Sequence, residues 1–480
     1  MIVIAVASCT QPSTPPSDGT GTASPATTDA PKAEMYGNVE VSDKYEGKEF
    51  KIATYLDGNL SNGWACYFDI DEPEEGDKMQ AASQTRNLEI ESKFKVTITC
   101  DELWNWWGGK EGYFYMSQLN QNGDMIYDLF FLEPYIASSD LIIDELLYDM
   151  SQLPYVNLEA DYYNHGFNDT YELGGKHYIL ASDLTYPCQS AQRIYVNNDL
   201  LKDLNYDPNY VYDRVDNGTW TYDVLVQMIE GQNEDLNQDG IYDTNDYYGF
   251  VGTPYSPMLF YHGAGIRGSY VDDDGWHFDY DSDRAVKVMD TIYTFVHKPE
   301  VYVKEWTNVI FNSGHALFTT SGSELRELHN WDLDIYIGVV PSPKFDDAQD
   351  RYYIYCAGGG FCMPADLKDP DFAGAMLEAM SYGSQKHLVP AFYQNFIEQR
   401  VLQDDRSREN WRRMLSDWSL FEFTGQIAPN EEVRYYNPAT KAVDRMSNGE
   451  ANTYLSSWAE VKDVMELVCG QFYKTFMKKV

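Results

Sequence analysis

Between Phe50 and Met150 the spacing of apolar residues changes period repeatedly, and that order constrains the fold more than any other feature of the chain. FKIATY (Phe50–Tyr55) suits a strand, and residues 78–93 suit a helix. Phe94, Val96, Ile98 and Cys100 then alternate with Lys95, Thr97 and Thr99, the pattern of a half-buried strand. YDLFFL (Tyr127–Leu132) is a short apolar run bounded by Gly123 and Pro134, which suits a buried strand. SSDLIIDELLYDM (Ser138–Met150) follows as a helix with Ser138 or Ser139 at its N-cap. Strands alternating with helices predict an α/β fold, a parallel sheet covered on both faces. Ligands of such sheets sit beyond the carboxyl ends of the strands. That rule gathers the loops 57–64, 104–107 and 133–135 around one crevice.

More helices are expected downstream. Thr221 caps one with Val224, Leu225, Met228 and Ile229 on one face, and Asp281-Ser282-Asp283 opens another with Val288, Met289, Ile292, Phe295 and Val296 inward. Asp369-Pro370 is an N-cap followed by proline at the first helical position. A chain of 480 residues has room for about two to four domains. It carries 76 acidic against 35 basic residues, a net charge of -41, so it repels phosphate backbones and nucleic acid is not an expected partner. The 39 Tyr offer flat faces with a polar handle, suited to amphipathic ligands as well as to cores.

The N-terminus has a different character. Met1–Ala7 is apolar, and Val6-Ala7-Ser8-Cys9 resembles the bacterial lipobox, in which small residues precede a cysteine that takes lipid. No basic stretch precedes it, so residues 1–9 are expected to be a truncated signal with Cys9 lipidated. Thr10–Glu34 has no Ile, Leu, Val or aromatic residue, and 10–47 is expected to be a disordered tether. Anchor, tether and globular body make the layout of an exported protein held at the extracellular face of a membrane.

One loop has a metal-ligand spacing. Asp235, Asn237, Asp239, Asp243 and Asp246 fall at positions 1, 3, 5, 9 and 12, with Gly240 at the turn and the Ile241 carbonyl at position 7. This is the EF-hand pattern for calcium, with Asp in place of the usual terminal Glu. A lone loop of this kind is expected to staple structure. Gly263-Ala-Gly265-Ile-Arg-Gly268 lacks the preceding strand of a nucleotide fingerprint. H-E-x-x-H, P-loop and G-x-S-x-G motifs are absent from the sequence. Cys356 and Cys362 flank glycines and suit either a bridge across a turn or free thiols.

The segments YDLFFLEPYIASSDLIIDELLYDM, GGKHYILASD, RIYVNNDLLKDLN, NGTWTYDVLVQMI, FNSGHALF, IYIGVVPSPKF and FCMP together resemble bacterial extracellular solute-binding proteins. The likeness is to the carbohydrate branch that includes maltose-binding protein and feeds ABC importers, and it covers the chain from about Lys48 onward. The resemblance implies a type II two-lobed fold with ligand in a cleft between lobes. It implies a first lobe of 48–183 and 336–384, and a second of 184–335 and 385–480. It further implies a monomeric, non-catalytic receptor that captures a neutral oligosaccharide and delivers it to a permease. Tyr55, Trp64, Glu133, Tyr135 and Tyr255 match positions near the family's cleft, with rings to cover sugar faces and a carboxylate to accept hydroxyls. Ser321-Gly322-Ser323 stands where the family carries a cleft Trp, and Ser323 takes that place. The alternatives are a secreted carbohydrate-active enzyme, or a binder of a non-sugar solute such as a peptide.

Overall fold

A computed structural model describes residues 33–55, 68–70, 72–104, 111–132, 140–185, 190–272, 274–305, 309–321, 335–357, 359–392, 404–415, 419–420 and 437–477. Met1–Glu34 forms one unit, which holds Cys9 and falls almost wholly outside these residues. Met35–Val480 forms another, described below.

In chain order, β1 (Glu49–Tyr55), α1 (Lys78–Phe94), β2 (Thr97–Trp104) and β3 (Leu129–Leu132) come first. Then β4 (Ser190–Ala191) leads into β5 (Arg193–Asn197), α2 (Tyr222–Ile229), β6 (Tyr247–Val251) and α3 (Met258–Gly263). Next are α4 (Asp283–Val296), β7 (Val301–Tyr302), β8 (Ala316–Ser321) and β9 (Ile337–Val340). The chain closes with β10 (Ile354–Ala357), β11 (Gly360–Cys362), α5 (Pro370–Pro390), α6 (Asp405–Leu415), β12 (Ser419–Leu420), α7 (Pro438–Ser447) and α8 (Tyr454–Phe472).

The first sheet has the order β11-β3-β1-β2, parallel except for β11. Consecutive residues Ile52, Ala53, Thr54 and Tyr55 are all buried, because a parallel strand is covered on both faces. α1 and α5 pack together beside it. The second sheet has the order β7-β6-β8-β5-β9. There β6 runs parallel to β7 and β8, while β5 opposes β8 and β9. A third, small sheet, β12-β10-β4, joins the two. Its antiparallel pair β4 and β10 are the crossovers: β4 continues into β5 of the second sheet, and β10 into β11 of the first. Each sheet is thereby completed by a reversed strand delivered from the other lobe.

Several expectations change. The return to the first lobe is not at 336, because Ile337–Val340 pairs with β5 in the second sheet. Val339 and Val340 are fully buried there, and α6 holds the strand through Asn410 Nδ2 to the Val339 carbonyl at 3.0 Å. The chain crosses back at β10. Nor does the second lobe begin at 385. α5 runs to Pro390 against α1, where Lys386 pairs with Glu89 at 2.7 Å.

The tether expected to reach residue 47 stops sooner. Met35–Tyr36 and Val39–Glu40 form a hairpin around Gly37 (φ 60). Tyr36 packs edge-on against Phe94 and Tyr382, and Tyr45 is buried with its hydroxyl on Asp371 at 2.8 Å. The helix expected over Ser138–Met150 ends early. Glu145 takes φ 56, Leu147 bridges Pro364, and Asp149 caps a short 3-10 turn at Met150–Gln152. The strand expected from Phe94 starts at Thr97, since α1 extends through Phe94 and stops at left-handed Lys95 (φ 54).

Candidate functional site

Register places the carboxyl ends of the strands together. Tyr55 pairs with Trp104 at the ends of β1 and β2, and Gly360, where β11 enters, pairs with Leu132 at the end of β3. In the second sheet Arg193, where β5 enters, pairs with Ser321 at the end of β8. Both crossovers therefore join carboxyl edge to carboxyl edge. The cleft that strand-end loops build in α/β proteins lies at this junction.

Tyr55 is 3% exposed, its ring 5.7 Å from Phe131, so it packs in the core rather than opening toward solvent. Trp104 likewise stacks on Phe130 at 6.4 Å and 17°. Trp64, Glu133, Tyr135 and Ser323 lie outside the described residues. Tyr255 is half-buried on the loop that follows β6. That loop is tightly tied: the Thr253 amide donates to Ser256 Oγ at 2.7 Å, and Ser447 Oγ donates to the Pro254 carbonyl at 2.8 Å. Gly252 is required, because a Cβ there would lie 2.5 Å from Ser256 Oγ.

Residues that the sequence did not single out gather at the crossovers. His262 ends α3; its ring stacks on Tyr355 of β10 at 4.1 Å and 17°, and Nδ1 lies 3.2 Å from Gln192 Oε1. Burial pulls its imidazole down to about 3, which leaves it neutral. Asp183 lies in the stretch that leads from the first lobe toward β4, and burial pushes its carboxyl up to about 7. Arg193 is buried with its guanidinium 3.9 Å over the Trp411 ring. No local pattern marks these positions, since each acquires its role from a partner distant in sequence. Cys356 and Cys362 are both free thiols.

The loop 235–246 is closed by its own acids. Asp235 Oδ2 accepts from the Gly240 amide at 2.8 Å, and Asp239 Oδ1 from the Ile241 amide at 2.7 Å. Asn237 Oδ1 accepts from the Asp239 amide at 3.0 Å. Asp246 is fully buried and accepts from the Leu236 and Asp243 amides. Gly240 has φ 79, the sharp turn that position needs. Asp235 Oδ1 is buried with no hydrogen-bond partner, a vacancy that suits a cation. Among the described residues, no three His, Cys, Asp or Glu side chains converge on one metal position. The turn and the orphaned oxygen thus fit calcium, while the remaining carboxylates face backbone amides.

No family model matches the sequence, and no curated protein matches it. Solved structures do match. A cyclo/maltodextrin-binding protein complexed with maltotetraose aligns over 90% of this chain and 100% of its own, at TM-score 0.57 and 15% identity. An extracellular solute-binding protein from Staphylococcus aureus in complex with maltose covers 88% and 98%, at 0.57 and 13%. UgpB from Mycobacterium tuberculosis in complex with glycerophosphocholine covers 88% and 98%, at 0.55 and 12%. These likenesses span both sheets and the crossovers between them. The chain has the two-lobed α/β fold of ABC-importer solute-binding proteins.

Proposed function

We propose that the chain is an extracellular solute-binding protein that captures a neutral oligosaccharide between its lobes and passes it to the permease of an ABC importer. The observation that carries this reading is the paired crossover joining two carboxyl edges, in a chain that spans the full length of sugar-complexed neighbours. Such a protein needs rings and hydrogen-bond acceptors rather than a nucleophile. Tyr255, half-buried on a strand-end loop, is the described ring best placed to stack on a sugar, with Trp64, Tyr135, Glu133 and Ser323 as further contacts. Lipidation at Cys9 would hold the protein at the outer membrane surface, where it acts as a monomer.

We also propose that the loop 235–246 binds calcium as a structural staple. Asp235, Asn237, Asp239, Asp243, Asp246 and the Ile241 carbonyl would hold the ion, which would neutralise four clustered carboxylates. The orphaned Asp235 oxygen supports this reading.

A thermal-shift panel tests the main proposal. Maltotetraose, other neutral oligosaccharides, glycerophosphocholine and peptides are each added in excess. A ligand at 100-fold its dissociation constant stabilises by about 2.7 kcal/mol. A sugar that raises the melting temperature and is recovered unchanged supports the reading. A shift with only non-sugar solutes replaces the ligand class, and turnover of a sugar replaces receptor with enzyme.

A further inference from the structure

One helix connects the candidate ligand loop to both crossovers. The loop 252–257 carries Tyr255 and passes directly into α3, whose first residue takes the Tyr255 carbonyl: the Met258 amide donates to it at 3.0 Å. All six residues of α3 are buried, so the helix is a packed strut rather than a surface turn. At its far end His262 touches each crossover, through Gln192 after β4 and through Tyr355 in β10. The crossovers also bind one another there, the Gln192 amide donating to the Tyr355 carbonyl at 2.8 Å.

Neighbouring contacts fix which lobe holds this junction. Gln349 Nε2 donates to the Gly263 carbonyl at 2.8 Å, and a Cβ on Gly265 would lie 2.8 Å from the Tyr353 ring. Both clamp the end of α3 onto the segment between β9 and β10. A few residues further on, the opposite lobe takes over. A Cβ on Gly359 would lie 2.1 Å from Phe131 Cζ, and one on Gly360 would lie 2.5 Å from Ile179 Cγ2. Between Tyr355 and Gly359 the crossover therefore passes from one lobe's grip to the other's.

We infer that His262 is a positioning residue that moors both crossovers to the second lobe, so that the ligand loop and the crossover pair move as one body and lobe closure bends between Tyr355 and Gly359. The imidazole is suited to this. It offers a flat face to Tyr355 and a ring nitrogen to Gln192, and being neutral it costs less to bury than a cation. The inference deepens the receptor reading and rests on it for its use, but the contacts can be tested without any ligand.

Hydrogen exchange followed by mass spectrometry on the ligand-free full chain is the test. In His262→Ala, exchange at Gln192 and Ile354–Ala357 is expected to rise at least tenfold, while the amides of α4 keep parental rates. His262→Phe keeps the ring face and is expected to recover part of the protection over 354–357 but not that of Gln192. Parental exchange at Gln192 in His262→Ala overturns the mooring. Equal acceleration throughout the second lobe overturns it too, since His262 would then be only a core residue. Because no sugar is added, either failure leaves the oligosaccharide reading to its own thermal-shift panel.

Discussion

Gly359→Ala is expected to strain the first lobe directly beneath the cleft edge. A methyl group at this position would sit 2.1 Å from Phe131 Cζ and 2.4 Å from Cε2. Comfortable carbon contacts begin near 3.5 Å, so the ring must retreat by roughly 1.5 Å. It has little room. Phe131 is 1% exposed, with Phe68 at 5.3 Å and Tyr55 at 5.7 Å between ring centres. Overpacking of this kind costs about 1–3 kcal/mol, and the closed ring cluster puts Gly359→Ala toward the upper end. Phe131→Leu removes the atoms that clash and by itself costs roughly 1–3 kcal/mol through the cavity it leaves. The double variant should then lose less than the two single changes added together, by at least ~1 kcal/mol. Urea unfolding of the four proteins, compared at matched denaturant slopes, measures that coupling. Additivity within ~0.5 kcal/mol would show that the crossover glycine does not press on Phe131 and would refute the packing argument.

Three other outcomes are expected. Calcium added to chelator-treated protein should give a calorimetric binding signal and raise the melting temperature, by about 2.7 kcal/mol of stabilisation at 100-fold its dissociation constant; Asp239→Ala should abolish both, and a silent titration of the parent refutes the site. Burial keeps the Asp183 carboxyl protonated up to about pH 7, whereas the unfolded chain sheds that proton near pH 4, so stability falls as pH rises through that window. Asp183→Asn should match the parent at pH 4.5 and exceed it at pH 8 by roughly 1–4 kcal/mol, and an equal difference at both pH values counts against the buried acid. In a host expressing the full-length gene, Cys9→Ser should release the protein to the medium, and retention equal to the parent rules out lipid at that cysteine.

Periodicity reported the elements whose partners are local. The inward face of α4 was legible residue by residue, from Val288 to Val296, because a helix repeats its buried stripe every turn. The Asp369-Pro370 start was equally legible, and Asp369 does cap α5 through the Phe372 amide. Lobe boundaries were not. IGVV at 337–340 is an apolar run that would complete either sheet, and only its pairing with β5 decides which. The same holds for the hairpin at 35–40, where two buried side chains, Tyr36 and Val39, find cover on distant helices. For the site, strand-end logic located the loops, but aromatic type alone misplaced Tyr55. A Tyr at the end of a buried strand has as much to gain from Phe131 as from a ligand. His262 carried no signal, since its partners lie 70 residues away and more.

The reversed strands also set a timetable for synthesis. β3 ends at Leu132, yet its outer partner β11 does not exist until Cys362 has been made. At 5–20 residues per second that interval lasts roughly 10–45 s, during which the nascent first lobe presents an unpaired hydrophobic edge. Most of the second lobe is made in the meantime, and it in turn keeps β5 waiting for β8 and β9. Neither lobe can therefore be completed by a contiguous stretch of nascent chain. The two mature together, late, and only after the ribosome has passed β11.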